Sequence, residues 1–315
     1  MKNKHLILTL IILSTLSIFI GAKDITIQNV VNGNEEAILI LLFSRGPRLI
    51  SILITGMALS LSGLIMQQLT RNKFVSPSTA ATMDSAKLGI LFAMLFLGSA
   101  NIMQKMLVAF IFAMAGTMLF LAILRKVKVK NVIMVPLLGI MLGNLIDAIT
   151  TFIAYRFDLI QNINSWLQGS FSMVTKGRYE IMYITIPLAL MAYLYANKFA
   201  IAGLGEDFSK NLGLNYQMVV NLGLVIVALI SSAIVVTVGN IPFVGLIIPN
   251  IVSMMNGDNL KKNIGTTSLF GAVFLLGCDL LGRVIIYPYE VSISLMVGVI
   301  GSMVFIYLIV KEVRK

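Results

Sequence analysis

Long apolar stretches alternate with short polar ones along the whole chain. The apolar runs cover residues 6–22, 47–69, 85–99, 105–124, 131–155, 179–197, 216–238, 241–255, 264–287 and 292–310. About 20 apolar residues in a helix cross a bilayer core of about 30 Å. The pattern therefore predicts an all-α integral membrane protein of about ten transmembrane helices. The third and eighth runs are the weakest, being short and interrupted by Gly and Pro. Residues 159–171 are too polar and too short to span. They predict a short helix lying at the outer surface, or dipping in under cover of other protein, because lipid cannot satisfy a bare backbone. Ten spans occupy about 200 positions, which leaves short loops in a chain of 315 residues and predicts one polytopic domain over 1–315. The first run follows Lys2 and Lys4 and has the look of a signal peptide. No small-x-small cleavage site follows it and more spans do, so it is read as a retained first helix.

Composition and charge then give the spans a direction. Hydrophobic residues make up 58% of the chain and charged residues 12%, against roughly a quarter charged in soluble domains. A net charge of +11 would suggest nucleic acid as partner in a soluble chain. In a membrane chain the question is where the charges sit, because Lys and Arg accumulate in cytoplasmic loops. With the N-terminus inside and ten crossings, the inner side receives Lys2, Lys4, Arg71, Lys73, Lys87, Arg125, Lys126, Lys128, Lys130, Lys198, Lys210, Lys261, Lys262, Lys311, Arg314 and Lys315. The outer side receives Lys23, Arg45, Arg48, Lys105, Arg156, Lys176, Arg178 and Arg283. The bias of 16 to 8 predicts both termini inside, N-in/C-in. The expected location is a cell membrane, with no nucleic-acid partner. The single cysteine, Cys278, excludes an internal disulfide framework.

Small residues at helical spacing, Gly56, Ser60 and Gly63 and again Gly139 and Gly143, predict close helix approach. Catalytic chemistry has no visible carrier. No phosphate-binding Gly-x-x-x-x-Gly-Lys-Ser/Thr loop occurs, and one Cys and one His, His5, form no metal cluster. No Gly-x-Ser-x-Gly elbow appears either. No enzyme activity, cofactor or metal is expected, and ATP-driven work would need a separate subunit. Ionisable groups inside apolar runs remain, and these default to functional suspicion. Asp147 lies in the fifth run and Asp279 in the ninth; Asp279 is expected to pair with Arg283 one turn on. Asp84 and Lys87 are spaced to pair on one helix face. An ion-coupled secondary carrier using Asp147 and Asp279 is therefore one reading.

Three blocks point elsewhere. The first is Arg45-Gly46-Pro47-Arg48, running through residues 49–68 to Asn72 and Pro77. The second is Gly239-Asn240-Ile241-Pro242-Phe243-Val244-Gly245-Leu246, ending in Pro249. The third is Asp279-Leu280-Leu281-Gly282-Arg283, followed by Pro288, Glu290 and the Gly298 and Gly301 break. Together they resemble the iron–siderophore and vitamin B12 ABC importer permeases, the FecCD-like family, in order over residues 40–312. Lys73 stands where that family has Pro. Asn250 and Ser253 stand in a segment where it has Pro-His-x-x-Arg. These departures resemble a sub-branch for catecholate-type siderophores.

The resemblance implies a type II ABC importer permease fold and a permease subunit of an ATP-driven ferric siderophore importer in a bacterial cytoplasmic membrane. The same fold importing haem or cobalamin is the alternative cargo. Implied partners are a second permease, as homo- or heterodimer, two ATP-binding subunits and an extracytoplasmic substrate-binding protein. Arg45, Arg48 and Arg283 would dock that protein's acidic residues, since a guanidinium takes a carboxylate bidentately; the alternative is snorkelling at the interface. Gly203, Leu204, Gly205, Glu206, Asp207, Ser209, Leu212 and Gly213 match the family's coupling loop, which seats in the ATPase; the alternative is a solvated loop. Gly143, Asn144, Asp147, Thr150 and Thr151, with Asn162, Asn164, Ser165 and Trp166 near the outer gate, are pathway candidates, the alternative being helix packing.

Overall fold

The computed structural model describes residues 3–21, 28–29, 32, 34–77, 81–98, 101–127 and 134–313. Lys2, Lys23, Lys128, Lys130, Arg314 and Lys315 of the charge tally lie outside the described residues. Nine of the ten apolar runs each fall on one α-helix, and the sixth, 179–197, falls on a 3-10 turn, Glu180–Ile184, and two short helices. In chain order the helices are α1 Asn3–Phe19, α2 Glu35–Ile40, α3 Gly46–Thr70, α4 Thr82–Phe96, α5 Ile102–Lys126, α6 Met134–Arg156, α7 Ile160–Leu167, α8 Thr185–Leu194, α9 Ala196–Ala202, α10 Glu206–Asn211, α11 Tyr216–Val238, α12 Val244–Asn256, α13 Leu260–Val284 and α14 Ile293–Val313. No strand occurs among the described residues. The short polar stretch at 159–171 forms α7, as its composition predicts.

Five helices are long and apolar enough to cross a membrane, and six if the pair Glu180–Leu194 and Ala196–Ala202, bent by 63°, is one span. The helices α1, α12 and most of α14 are apolar but shorter. The fourth and twelfth helices are short as expected, but not mainly because of Gly and Pro, since Pro249 lies inside α12. Phe243 at φ 65° and Gly257 bound α12, and Ala81 at φ 57° precedes α4.

Local chemistry sets the helix ends. Asn34 caps α2 by accepting from the Glu36 and Ala37 amides, while Asn101 and Gln104 form a reciprocal capping box on α5. Arg71 closes α3 in the left-handed region, φ 51°. The start of α3 lies further upstream than the apolar run suggests, because α2 continues into it through a π-helical turn, Leu41–Arg45. Pro47 explains the turn. It has no amide hydrogen to donate to the Phe43 carbonyl and would crowd it in a regular helix. The wider turn carries the chain past the proline, and the Phe43 carbonyl accepts from the Lys176 amide instead, at 3.3 Å.

The third helix is the centre of the bundle, packed against α11, α12 and α13. The small residues singled out in its sequence make this possible. A Cβ on Gly56 would fall 2.6 Å from the Gly271 carbonyl oxygen of α13, and one on Gly63 would overlap the backbone of Gly245 in α12. Backbones therefore meet at both points. By contrast α6 is thinly covered. Met141, Leu145, Phe152 and Tyr155 on it are all exposed.

Candidate functional site

At one end of α3 the three arginines expected to act together do converge. Arg48, in the first turn, donates from Nη2 to Asp279 Oδ1 at 2.8 Å and from Nη1 to Glu290 Oε2 at 2.7 Å. Asp279 also binds Arg283 one turn along α13, as the spacing predicts. Arg283 is 3% exposed. Its Nη1 donates to the Ser17 and Ile20 carbonyls of the α1 end at 2.8 and 3.1 Å, and its Nη2 to Ser17 Oγ at 3.1 Å. Arg45, 8% exposed, donates to the Ile20 carbonyl. The cluster thus knits α1, α3 and α13, with Glu290 contributed by the turn before α14. All three guanidinium groups are already held by groups of this chain. An external carboxylate meets them by exchange and not as free cations.

The cluster borders a cavity of about 460 Å³. Arg48, Asp279 and Glu290 line it together with Ser165 and Trp166 of α7 and with Arg178. Sequence reasoning singled out Trp166 and Ser165 but missed Arg178 as a site residue. Only its place in the outer charge tally marked it.

At the opposite end of α3 sits the loop expected to couple to an ATPase. α9 and α10 are short and separated by Gly203, Leu204 and Gly205. Gly205 has φ 124°, which L side chains rarely adopt, and Gly213 after α10 has φ 71°. Gly203 lies against the Gln68 side chain and Gly205 against that of Arg71, so the loop is seated on the last turn of α3. Ser209 is fully buried. Its hydroxyl lies 2.5 Å from the Gly205 carbonyl and 3.1 Å from that of Ile201, and the Leu214 amide donates to its carbonyl at 2.9 Å. The Ser209 hydroxyl therefore adds a tie between α9 and α10. Facing outwards are Glu206, Asp207, Lys210, Leu204, Phe208 and Leu212. Lys210 and Glu206 pair at 2.8 Å across one turn. Phe208 was not among the expected residues, although like Leu204 and Leu212 it is an apolar side chain exposed on this loop.

The α6 candidates divide by face. Asn144 is exposed, and Asp147 and Thr151 are half-exposed, whereas Gly143 and Thr150 are buried. Gly143 lies under the Asp84 carboxylate, and Thr150 bonds back to the Ile146 carbonyl at 2.7 Å. Lys87 does not take Asp84 as its bonded partner. Its Nζ reaches Asp147 at 2.6 Å and Thr151 at 3.1 Å on α6. A carboxylate and a hydroxyl together outbid one carboxylate on the same helix, because two hydrogen bonds hold the ammonium. On α7, Asn162, Asn164 and Ser165 are exposed and Trp166 is half-buried. The two departures from the family pattern also meet: the Asn250 side chain donates to the Lys73 carbonyl at 2.9 Å, and Lys73 Nζ pairs with Asp258 at 3.2 Å.

Comparison with known proteins identifies the family of the chain. Residues 8–311 match the model of the FecCD transport family. The chain is 56% identical over 312 residues to the petrobactin import system permease protein of Bacillus subtilis (strain 168), covering 99% of each chain. It is 40% identical to the ferric-anguibactin transport system permease protein of Vibrio anguillarum, covering 98% of this chain and 99% of the relative. In fold it is similar to a chain solved in an inward-facing conformation of a metal-chelate type ABC transporter, with a TM-score of 0.85, 23% identity and 98% of each chain covered.

Proposed function

Because the chain belongs to the FecCD transport family, we propose that it is the membrane-spanning permease subunit of an ATP-driven importer of ferric siderophores. The observation that carries this is end-to-end similarity, at 56% identity, to a relative whose name is a petrobactin import permease. It is a multi-pass protein of the bacterial cytoplasmic membrane. Petrobactin-type, catecholate cargo is the sub-branch that the petrobactin relative and the departures at Lys73 and Asn250 favour. ATP is hydrolysed on separate subunits, and a second permease and an extracytoplasmic binding protein complete the assembly. Ten crossings with both termini inside fit the charge bias.

On this reading the arginine end faces out. Of Arg45, Arg48 and Arg283, Arg48 receives the binding protein's acidic residues, with Asp279 and Glu290 giving it up in part when a competing carboxylate arrives, while the buried Arg45 and Arg283 brace it against α1. The loop end faces in. Leu204, Phe208 and Leu212 with Glu206 and Asp207 form the surface for the ATPase, and the loop's seat on Gln68 and Arg71 passes movement to α3. Asn144, Asp147 and Thr151 border the pathway, along the thinly covered face of α6, and Asn162, Asn164, Ser165 and Trp166 stand at its outer rim. The rival ion-coupled carrier needs acids free to bind a cation. Asp147 is held by Lys87, and Asp279 by two arginines.

Uptake of a ferric siderophore into proteoliposomes carrying this chain, its ATPase and its binding protein tests the reading. Uptake is expected to require ATP and to survive collapse of the proton gradient. Uptake without an ATPase would overturn it. Arg48→Glu should weaken binding-protein affinity more at low than at high salt, and an unchanged affinity removes Arg48 from the docking surface.

A further inference from the structure

The exposed side of α6 carries two stripes at helical spacing. Met141, Leu145, Phe152 and Tyr155 form an apolar one, and Asn144, Asp147 and Thr151 a polar one beside it. A carboxylate in the middle of a 23-residue apolar helix is costly against lipid, so the polar stripe faces protein or a water-filled path. Lys87 of α4 reaches this stripe from behind. Its Nζ donates to Asp147 Oδ1 at 2.6 Å and to Thr151 Oγ1 at 3.1 Å. The lysine side chain is 16% exposed and the aspartate side chain 42%. The carboxylate therefore fronts the stripe and the ammonium backs it. No other group bonds the Asp147 side chain among the described residues. Asp84, one turn before Lys87, does not serve the stripe, because it lies against Gly143 on the buried side of α6. Among the described residues of α4 and α6, the only other basic side chain is Arg156, in the last turn of α6. Lys87 alone is placed to offset Asp147.

We infer that Lys87 is a positioning residue of the transport path, holding the Asp147 carboxylate in place and cancelling its charge where a net-negative ferric chelate passes. This rests on the importer reading. A ferric ion wrapped by catecholate groups is net negative, because the charges on the phenolate oxygens outnumber those on the metal. Fixed charge along a path selects cargo by sign. An uncompensated carboxylate repels an anion more strongly beside low-dielectric walls than in bulk water. The ammonium removes that repulsion from behind. A bare lysine on the stripe would instead hold the anion, and conduction needs a cargo that leaves.

Proteoliposomes carrying the full chain with its ATPase and binding protein are assayed for ATP-driven uptake of ferric petrobactin. Lys87→Gln should lower the maximal rate about tenfold. The binding-protein concentration at half-maximal rate should stay the same and the ATPase should still co-purify, which separates the path from docking and assembly. Lys87→Gln combined with Asp147→Asn leaves a neutral pair and should restore the rate to within about twofold of wild type. Asn144→Asp adds a carboxylate to the same stripe at an exposed position. It should slow uptake as Lys87→Gln does, and it decides the matter if Lys87→Gln does not assemble. A wild-type rate in Lys87→Gln or in Asn144→Asp overturns the inference. So does a double variant as slow as Lys87→Gln, since the lysine would then be needed for more than its neighbour's charge. Those results beside an active wild type leave the importer reading standing. A wild type without ATP-driven uptake removes that reading, and the inference with it.

Discussion

The two ends of α3 treat charge in opposite ways. At the Arg48 end, the guanidinium groups and the Asp279 carboxylate are buried or nearly so and each depends on the other, because an ion taken out of water is tolerable only when paired and hydrogen-bonded. At the Arg71 end, Glu206, Asp207 and Lys210 stand in solvent, where water and salt screen them and a pair contributes little. There the defined features are the backbone at Gly205, the buried Ser209 hydroxyl and the exposed apolar side chains Leu204, Phe208 and Leu212. The Arg48 end is therefore sensitive to a change of charge and the Arg71 end to a change of shape.

The sharpest way to break that contrast is Asp279→Asn. It leaves Arg48 and Arg283 facing a neutral amide, and removing one member of a buried pair costs about 3–5 kcal/mol. A marked fall in the thermal unfolding midpoint of the purified chain is expected. An unchanged midpoint would mean that the pair is not energetically buried. Gly205→Ala comes next. A side chain at φ 124°, pressed against Arg71, costs about 1–3 kcal/mol of backbone strain. ATP-driven uptake should fall while the fraction of folded protein, measured by size exclusion, changes little.

A smaller effect should appear at Asp258, in the turn between α12 and α13. The Ser253 hydroxyl, and after it Lys73, hold this carboxyl below its ordinary value. A depressed carboxyl stabilises the fold above its unfolded value and loses that contribution as pH falls through the folded one. Amide protection around Gly257 and Asn259, corrected for intrinsic exchange, should hold at neutral pH and drop only below about pH 4. The smallest effect is expected from Lys210→Ala, which removes an exposed pair. Neither unfolding midpoint nor uptake should move, and a clear loss of uptake would show that charge matters at the Arg71 end after all.

Much of the fold was legible because lipid demands a simple code. Nine of the apolar runs each marked one α-helix and the sixth marked the bent pair α8 and α9, and Gly56 and Gly63 marked places where backbones meet. The Asp279–Arg283 pair was legible because its spacing is local. What escaped depended on distant partners. Nothing near Lys87 in sequence says that Asp147 and Thr151, 60 and 64 residues away, will outweigh Asp84. The burial of Arg283 rests on carbonyls of Ser17 and Ile20 at the far end of the chain. Outward arginines and inward ones have the same sequence pattern at a helix end. Arg178 belongs to no motif, and its interest lies in what the fold leaves around it. The π-turn was hidden for a different reason. Pro47 reads as a helix start, and only the Lys176 amide at the Phe43 carbonyl lets the helix run on behind it.

The meeting of α3 and α13 has a kinematic consequence. The two helices are fastened at Arg48–Asp279 and again where Gly56 touches Gly271, points eight residues, or about 12 Å, apart along each axis. Sliding would part the first fastening and rolling would drive side chains into the second. With both degrees of freedom removed, the stretch between the two fastenings travels as a single plank, and bending falls to the parts of the helices outside it.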